Sequence, residues 1–155
     1  MINLPLTGGC QCGSIRYQLT EPPVTFYLCH CRDCQKQSSS AFGLTLWSSR
    51  NGFRLLSGVL SIFDTAGESG ALKRCTFCNL CGTRIYHCNA DSAGHYSIKA
   101  GSLDSLQNIE PVAHIWTRSA HPWAIHREDH LPRFEADPAD DVILVSLWNQ
   151  AINAS

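Results

Sequence analysis

Cys29-His30-Cys31-Arg32-Asp33-Cys34 places three thiols within six residues. A Cys-x-Cys lies upstream in Gly9-Cys10-Gln11-Cys12-Gly13, and a Cys-x-x-Cys lies downstream in Cys78-Asn79-Leu80-Cys81-Gly82. Thiols packed this tightly in sequence pair poorly with one another but share a metal easily. Tetrahedral zinc, about 2.3 Å from each sulfur, needs ligands converging to within roughly 4 Å of one another. The two-residue spacer of Cys78–Cys81 lets the chain curl round an ion, and Gly82 can take a backbone shape closed to other residues. The seven sulfurs therefore divide into a closed site of four (Cys10, Cys12, Cys78, Cys81) and an open site of three (Cys29, Cys31, Cys34), or two zinc ions per chain. Three thiols this close cannot all ionise without a cation between them. A four-sulfur zinc holds a fold together, whereas a three-ligand zinc leaves a position for chemistry.

The alternatives are definite. Nine cysteines invite a disulfide framework, but the number is odd, the thiols are clustered, and Met1-Ile2-Asn3-Leu4-Pro5 has neither the charged nor the apolar region of a secretory signal. A cytoplasmic chain is expected. The alternative for the trio is a second structural zinc site, completed by Cys75, Cys88 or a histidine. His30 is set aside as a ligand because strand alternation sends it to the face opposite Cys29 and Cys31. Cys75 and Cys88 read as small buried residues.

A chain of 155 residues with a formal charge of −1 suits one domain and gives no electrostatic footprint for nucleic acid. No apolar run is long enough for a membrane span. Ile15, Tyr17 and Leu19 alternate with Ser14, Arg16 and Gln18, the pattern of a half-buried strand. Thr25–Cys31 is a second strand candidate, and Asp33–Ser40 a turn or short helix carrying Cys34. Further strands are expected at Gly43–Trp47, Phe53–Leu56, Ser61–Asp64, Leu72–Phe77, Thr83–Cys88 and Tyr96–Ala100. Frequent glycines between them argue for a mainly β, antiparallel fold. The tail reads as a C-terminal helix. Asp137 is its expected cap, Pro138 its first residue, and Asp140 and Asp141 its dipole partners, with Val142, Val145, Trp148 and Ile152 on one face. Residues 1–134 form the expected zinc-binding domain, and 135–155 a helical extension packed on it or serving a homodimer contact.

The ordered set resembles the glutathione-dependent formaldehyde-activating enzyme (GFA) family, which includes the centromere protein V group. The cysteine motifs carry this resemblance, together with Ser40-Ala41-Phe42, Phe77-Cys78-Asn79-Leu80-Cys81-Gly82-Thr83, Gly101-Ser102-Leu103-Asp104, His114-Ile115-Trp116-Thr117 and Leu131-Pro132-Arg133-Phe134. The resemblance implies a β-tent fold stapled by zinc. It also implies a structural zinc at Cys10, Cys12, Cys78 and Cys81 and a catalytic one at Cys29, Cys31 and Cys34. The implied reaction is that of a carbon–sulfur lyase, joining formaldehyde to glutathione as S-hydroxymethylglutathione. Family members often carry a glycine close to Ser39, where this chain reads Ser38-Ser39-Ser40.

The expected ligand is a small-molecule thiol such as glutathione, bound as thiolate, with no nucleic acid or membrane partner. Lys36, Arg50, Arg54 and Lys99 are candidate cations for such an anion. Trp47, Trp116 and Trp123 are candidate pocket walls, and His121 and His126 candidate proton shuttles. The competing readings are a non-catalytic zinc module that holds a protein partner and a zinc carrier or sensor.

Overall fold

The computed structural model describes residues 2–67, 70–89, 94–126 and 128–154. Three short strands, β1 (Leu6–Gly9), β2 (Arg16–Leu19) and β5 (Phe53–Ser57), pair antiparallel as one sheet in the order β1-β2-β5. The remaining strands are β3 (Thr25–Cys29), β4 (Gly43–Ser49), β6 (Leu60–Ala66), β7 (Leu72–Cys78), β8 (Arg84–Asn89), β9 (His95–Lys99) and β10 (His114–Ile115). They form a second sheet ordered β10-β3-β4-β9-β8-β7-β6. All its pairs are antiparallel except β10 with β3. The fold is mainly β and antiparallel, with a short helix α1 (Arg32–Ser38) and a C-terminal helix α2 (Val142–Asn153). Among the described residues, no helix is long and apolar enough to cross a membrane.

The strand alternation is used on both faces of the large sheet. Phe26, Leu46 and Ile98 share the main core with Tyr17 and Leu19 of the small sheet and with Ile15 just before it. On the other face Tyr27, Cys29, Cys31 and Cys34 pack with Ala113, Ile115, Trp116 and Leu144. β3 is therefore buried along its whole length, which excludes water from both sides of the strand that carries Cys29.

Most strand limits differ from the sequence expectation by one or two residues, and at two boundaries the difference has a local reason. β3 stops at Cys29, because Cys31 turns the chain and becomes the N-cap of α1, its Sγ accepting from the Cys34 N–H at 3.4 Å. The tail helix starts at Val142, so Asp137 does not cap it and Pro138 is not its first residue. Asp137 instead accepts from the Trp116 indole N–H at 2.8 Å, and Asp140 Oδ1 accepts from the Val142 N–H at 2.9 Å. The helix buries Leu144 and Trp148 and leaves Val142 and Ile152 exposed. Val142-Ile143-Leu144-Val145 is apolar at every position, so periodicity alone cannot choose the face. The Thr25 hydroxyl, which donates to the Leu144 carbonyl at 2.9 Å, fixes it against β3.

Candidate metal centres

The first centre is assembled from loops that close opposite sheets. Cys10 and Cys12 follow β1, Cys78 ends β7, and Cys81 lies in the turn before β8. Their four sulfurs lie within 4.8 Å of one another. Cys10 and Cys12 Sγ are 3.4 Å apart, and Cys12 and Cys78 Sγ 3.8 Å. Gly13 and Gly82 take φ of +79° and +74°, the left-handed region these two tight loops demand. The Gly82 N–H donates to the Cys78 carbonyl at 2.9 Å, and the Leu80 N–H to Cys78 Sγ at 3.4 Å, so the knuckle is closed by its own backbone. Ser14 Oγ stands 3.2 Å from both Cys12 and Cys78 Sγ, a contact that sequence reading missed. Burial pushes the Cys10 thiol up, but hydrogen bonds from Ser14 and the Ile15 N–H outweigh it and bring it down to about 5. The Thr83 hydroxyl and N–H bring Cys81 to about 7. Donors that favour thiolate in this way are what a zinc site requires.

The second centre is local. Cys29 ends β3, Cys31 caps α1 and Cys34 sits in its first turn, so strand, cap and helix turn three side chains onto one point. The three sulfurs lie within 4.8 Å of one another, and all three residues are buried. No fourth His, Cys, Asp or Glu joins them among the described residues. Cys75 and Cys88 are buried elsewhere on the sheet. Cys75 Sγ receives Gln37 Nε2 at 3.7 Å. The trio shares its protons unevenly. Its neighbouring thiols, and then burial, push Cys29 up, whereas hydrogen bonds from Cys29 and Cys31 hold Cys34 well below the ordinary thiol range, aided by Lys99 and Lys73. Thiols this close oppose one another's ionisation, and a zinc ion among them would accommodate all three as thiolates. The donor set of each cluster fits zinc.

Gly43 adjoins the trio so closely that a Cβ there would lie 3.2 Å from Cys34 Cβ and 3.4 Å from its Sγ. Beyond it opens a cavity of about 500 Å³, lined by Gln37, Phe42, Gly43 and Lys99 on one side and by Cys81, Gly82 and Thr83 on the other. The cavity lies between the two sulfur clusters and is not lined by the trio itself. Of the four candidate cations only Lys99 stands there. Arg50 covers the Tyr96 ring at 5.0 Å, Arg54 bonds the Phe53 carbonyl at 3.1 Å, and Lys36 is exposed. Trp116 packs against the trio and Trp47 lines a smaller cavity behind it, but Trp123 is 72% exposed and lines neither cavity. His121 stacks on Trp123 with ring centres 5.4 Å apart, and His126 is exposed.

His30 stays outside the sulfur group and has a hydrogen-bonding role, in a chain whose partners sequence reading did not foresee. Its Nε2 lies 2.8 Å from His114 Nδ1, and His114 Nε2 lies 2.8 Å from Asp129 Oδ2. Burial first, then His114, brings His30 down to about 4. Gln35 Nε2 donates to the carbonyls of His30 and Ser119 at 2.7 and 2.9 Å. These contacts hold the bend between Cys29 and Cys31. His114 also explains why two distant motifs occur together, since its N–H donates to the Pro132 carbonyl and its carbonyl accepts from Phe134.

A mainly β chain with a four-thiol cluster and a three-thiol cluster has the donor sets that metal-binding β proteins use. The family model for the glutathione-dependent formaldehyde-activating enzyme matches residues 5–119, and the chain belongs to that family. A search among curated proteins gave no match. A crystal structure of a Rhodobacter sphaeroides protein, a structural-genomics target, is similar in fold, with a TM-score of 0.52 at 14% identity over 83% of this chain and 99% of that one.

Proposed function

We propose that this protein is a zinc-dependent enzyme of the carbon–sulfur lyase type, acting on the adduct of a small thiol with an aldehyde. Its reference reaction adds the glutathione thiol to formaldehyde. The S–H bond breaks, an S–C bond forms, and the carbonyl oxygen takes the proton as S-hydroxymethylglutathione. The observation that carries this reading is the trio, which no fourth His, Cys, Asp or Glu joins among the described residues, beside a quartet that is complete. Zinc on Cys29, Cys31 and Cys34 supplies a position where a thiol is held as thiolate or an aldehyde oxygen is polarised. The chain's own residues do the rest. Trp116, Tyr27 and Ile115 keep bulk water from the trio, Lys99 offers positive charge, and the His30–His114–Asp129 chain fixes the backbone that presents Cys29 and Cys31. In this reading the catalytic unit is the 1–134 domain, the tail helix is an extension of it, and the compartment is the cytoplasm.

The test mixes zinc-loaded protein with formaldehyde and glutathione and follows adduct formation by exchange NMR. Acceleration over the spontaneous rate is expected, and its absence with both sites loaded removes the formaldehyde reaction. One observation favours a second reading, a zinc module that docks a protein, including a second copy of itself. Leu55, Leu56, Val59, Ile62 and Phe63 are all exposed along β5, its turn and β6. Light scattering that shows only monomer, with no loss of solubility on raising concentration, argues against it.

A further inference from the structure

The strand order leaves two sheet edges joined by one turn. β6 ends the large sheet, β5 ends the small one, and Gly58 and Val59 connect them. Leu55, Leu56, Val59, Ile62 and Phe63 are exposed along these edges, as is Leu72, which pairs with Ala66 at the far end of β6. Among the described residues β6 pairs with β7 alone. An edge strand of this kind carries a row of backbone N–H and C=O groups with no neighbouring strand, and it templates pairing with another chain unless something blocks it.

β6 has none of the usual blocks. Leu60-Ser61-Ile62-Phe63-Asp64-Thr65-Ala66 contains no proline, lysine or glycine, and its seven residues pair with β7 without a register shift. Asp64 is its one charge, and Arg74 Nε and Nη2 donate to that carboxylate at 3.0 Å each. Pairing with β7 puts Phe63 on the face of Cys75 and Ile62 on the face of Thr76. Ile62 is 58% exposed and Phe63 55%, so bare apolar surface lies on both faces of one strand. A partner resting on one face covers half of it. A strand added along the edge covers both faces and satisfies the row of backbone groups as well.

We propose that β6 is the docking edge for a second copy of this chain, paired antiparallel with the partner's β6 about a two-fold axis at Phe63. That register is self-complementary. Leu60 meets the partner's Ala66, Ser61 the partner's Thr65 and Ile62 the partner's Asp64, while the two phenylalanines meet at the axis. No like charges stand directly opposite one another, Arg74 already offsets Asp64, and a formal charge of −1 per chain leaves little repulsion between copies. The six exposed side chains present on the order of 600 Å² of apolar surface, most of the ~800 Å² that each partner of a stable interface buries. This contact rests on the docking reading above, commits it to one occupant, and asks nothing of the trio.

Sedimentation velocity on the zinc-loaded full-length protein, from about 1 μM to about 1 mM, reads the association, and hydrogen exchange at the amides of residues 60–66 reads its place. The expected result is a dimer whose 60–66 amides lose protection on dilution. Phe63→Lys sets two ammonium groups against each other at the axis and raises the dissociation constant about 100-fold or more. Ile62→Asp weakens the dimer likewise by facing the partner's Asp64, whereas Ile62→Lys, facing the same carboxylate, leaves it intact. Unchanged zinc content shows that each variant is folded. Equal weakening by the two Ile62 variants overturns the register, and oligomers that keep growing with concentration overturn the closed two-fold. A dimer that survives Phe63→Lys with 60–66 unprotected also overturns the proposal and moves the contact elsewhere, such as to the exposed Val142 and Ile152 of α2. A monomer whose 60–66 amides gain protection only from an added strand peptide rich in threonine and valine overturns the second copy and keeps the docking reading. A monomer that ignores the peptide sinks both.

Discussion

Ser39 follows α1 with φ of 51° and ψ of 38°, the left-handed region, and closes the helix by returning its N–H to the Gln35 carbonyl. A residue with a Cβ is strained there by about 1–2 kcal/mol, part of which glycine returns through its greater freedom when unfolded. The family's usual glycine nearby thus has a physical reason, and this chain does without it. Ser39→Gly is expected to raise stability by about 0.5–1 kcal/mol, read from urea midpoints at fixed zinc content, and a fall in stability would show that the Ser39 side chain contributes something the hydrogen bonds do not reveal. The cysteines were legible in the sequence because metal ligands must keep their type and their spacing. Ser14 had a faint signal in Cys10-Gln11-Cys12-Gly13-Ser14, where a hydroxyl two residues past a ligand can reach its sulfur. His114 and Asp129 had none, because only the short parallel pairing of β10 with β3 brings them to His30.

Elements were easier to recognise than their limits. Every strand expected from alternation exists, but β1, half glycine, and β10, two residues long, did not stand out, and α2 showed its length without its buried face. The junction of β1, β2 and the segment after β9 is held by one carboxylate. Asp104 accepts from the Thr7 hydroxyl at 2.6 Å and from Arg16 Nη1 at 2.8 Å, while its own N–H donates to the Thr7 carbonyl. Arg16 and then Thr7 bring the Asp104 carboxyl down from 3.8 to about 2. The unfolded chain therefore binds this proton first as pH falls, so the contribution is complete above about pH 4 and is lost on the way to pH 2. Both side chains are about 40% exposed, at 40% and 43%, so the effect is screened and stays below about 1 kcal/mol. Asp104→Asn should lower the urea midpoint at pH 6 and converge with the wild type as pH drops toward 2. A difference independent of pH would assign the loss to packing instead of charge.

At the scale of the whole molecule the two clusters do different mechanical work, and their chain connectivity says how different. The quartet joins the small sheet to the large one, since Cys12 and Cys78 are 66 residues apart in sequence. The trio spans only Cys29 to Cys34, within one strand end and one helical turn. Closing the longer loop removes more freedom from the unfolded chain, by about 2 kcal/mol on the logarithmic scale of loop length. The quartet also ties together strands of two separate sheets, whereas the trio's elements are already joined by α1 and by the buried face of β3. Zinc analysis of the purified protein should give about two ions per chain. Cys31→Ser should lower this to about one, with a modest fall in melting temperature and loss of thiol binding. Cys78→Ser should lower it by one as well but destabilise the fold far more, because an ion linking two sheets contributes to folding directly. Equal losses of melting temperature in the two variants would mean that the trio is a second staple, and would remove the ground for giving it a ligand.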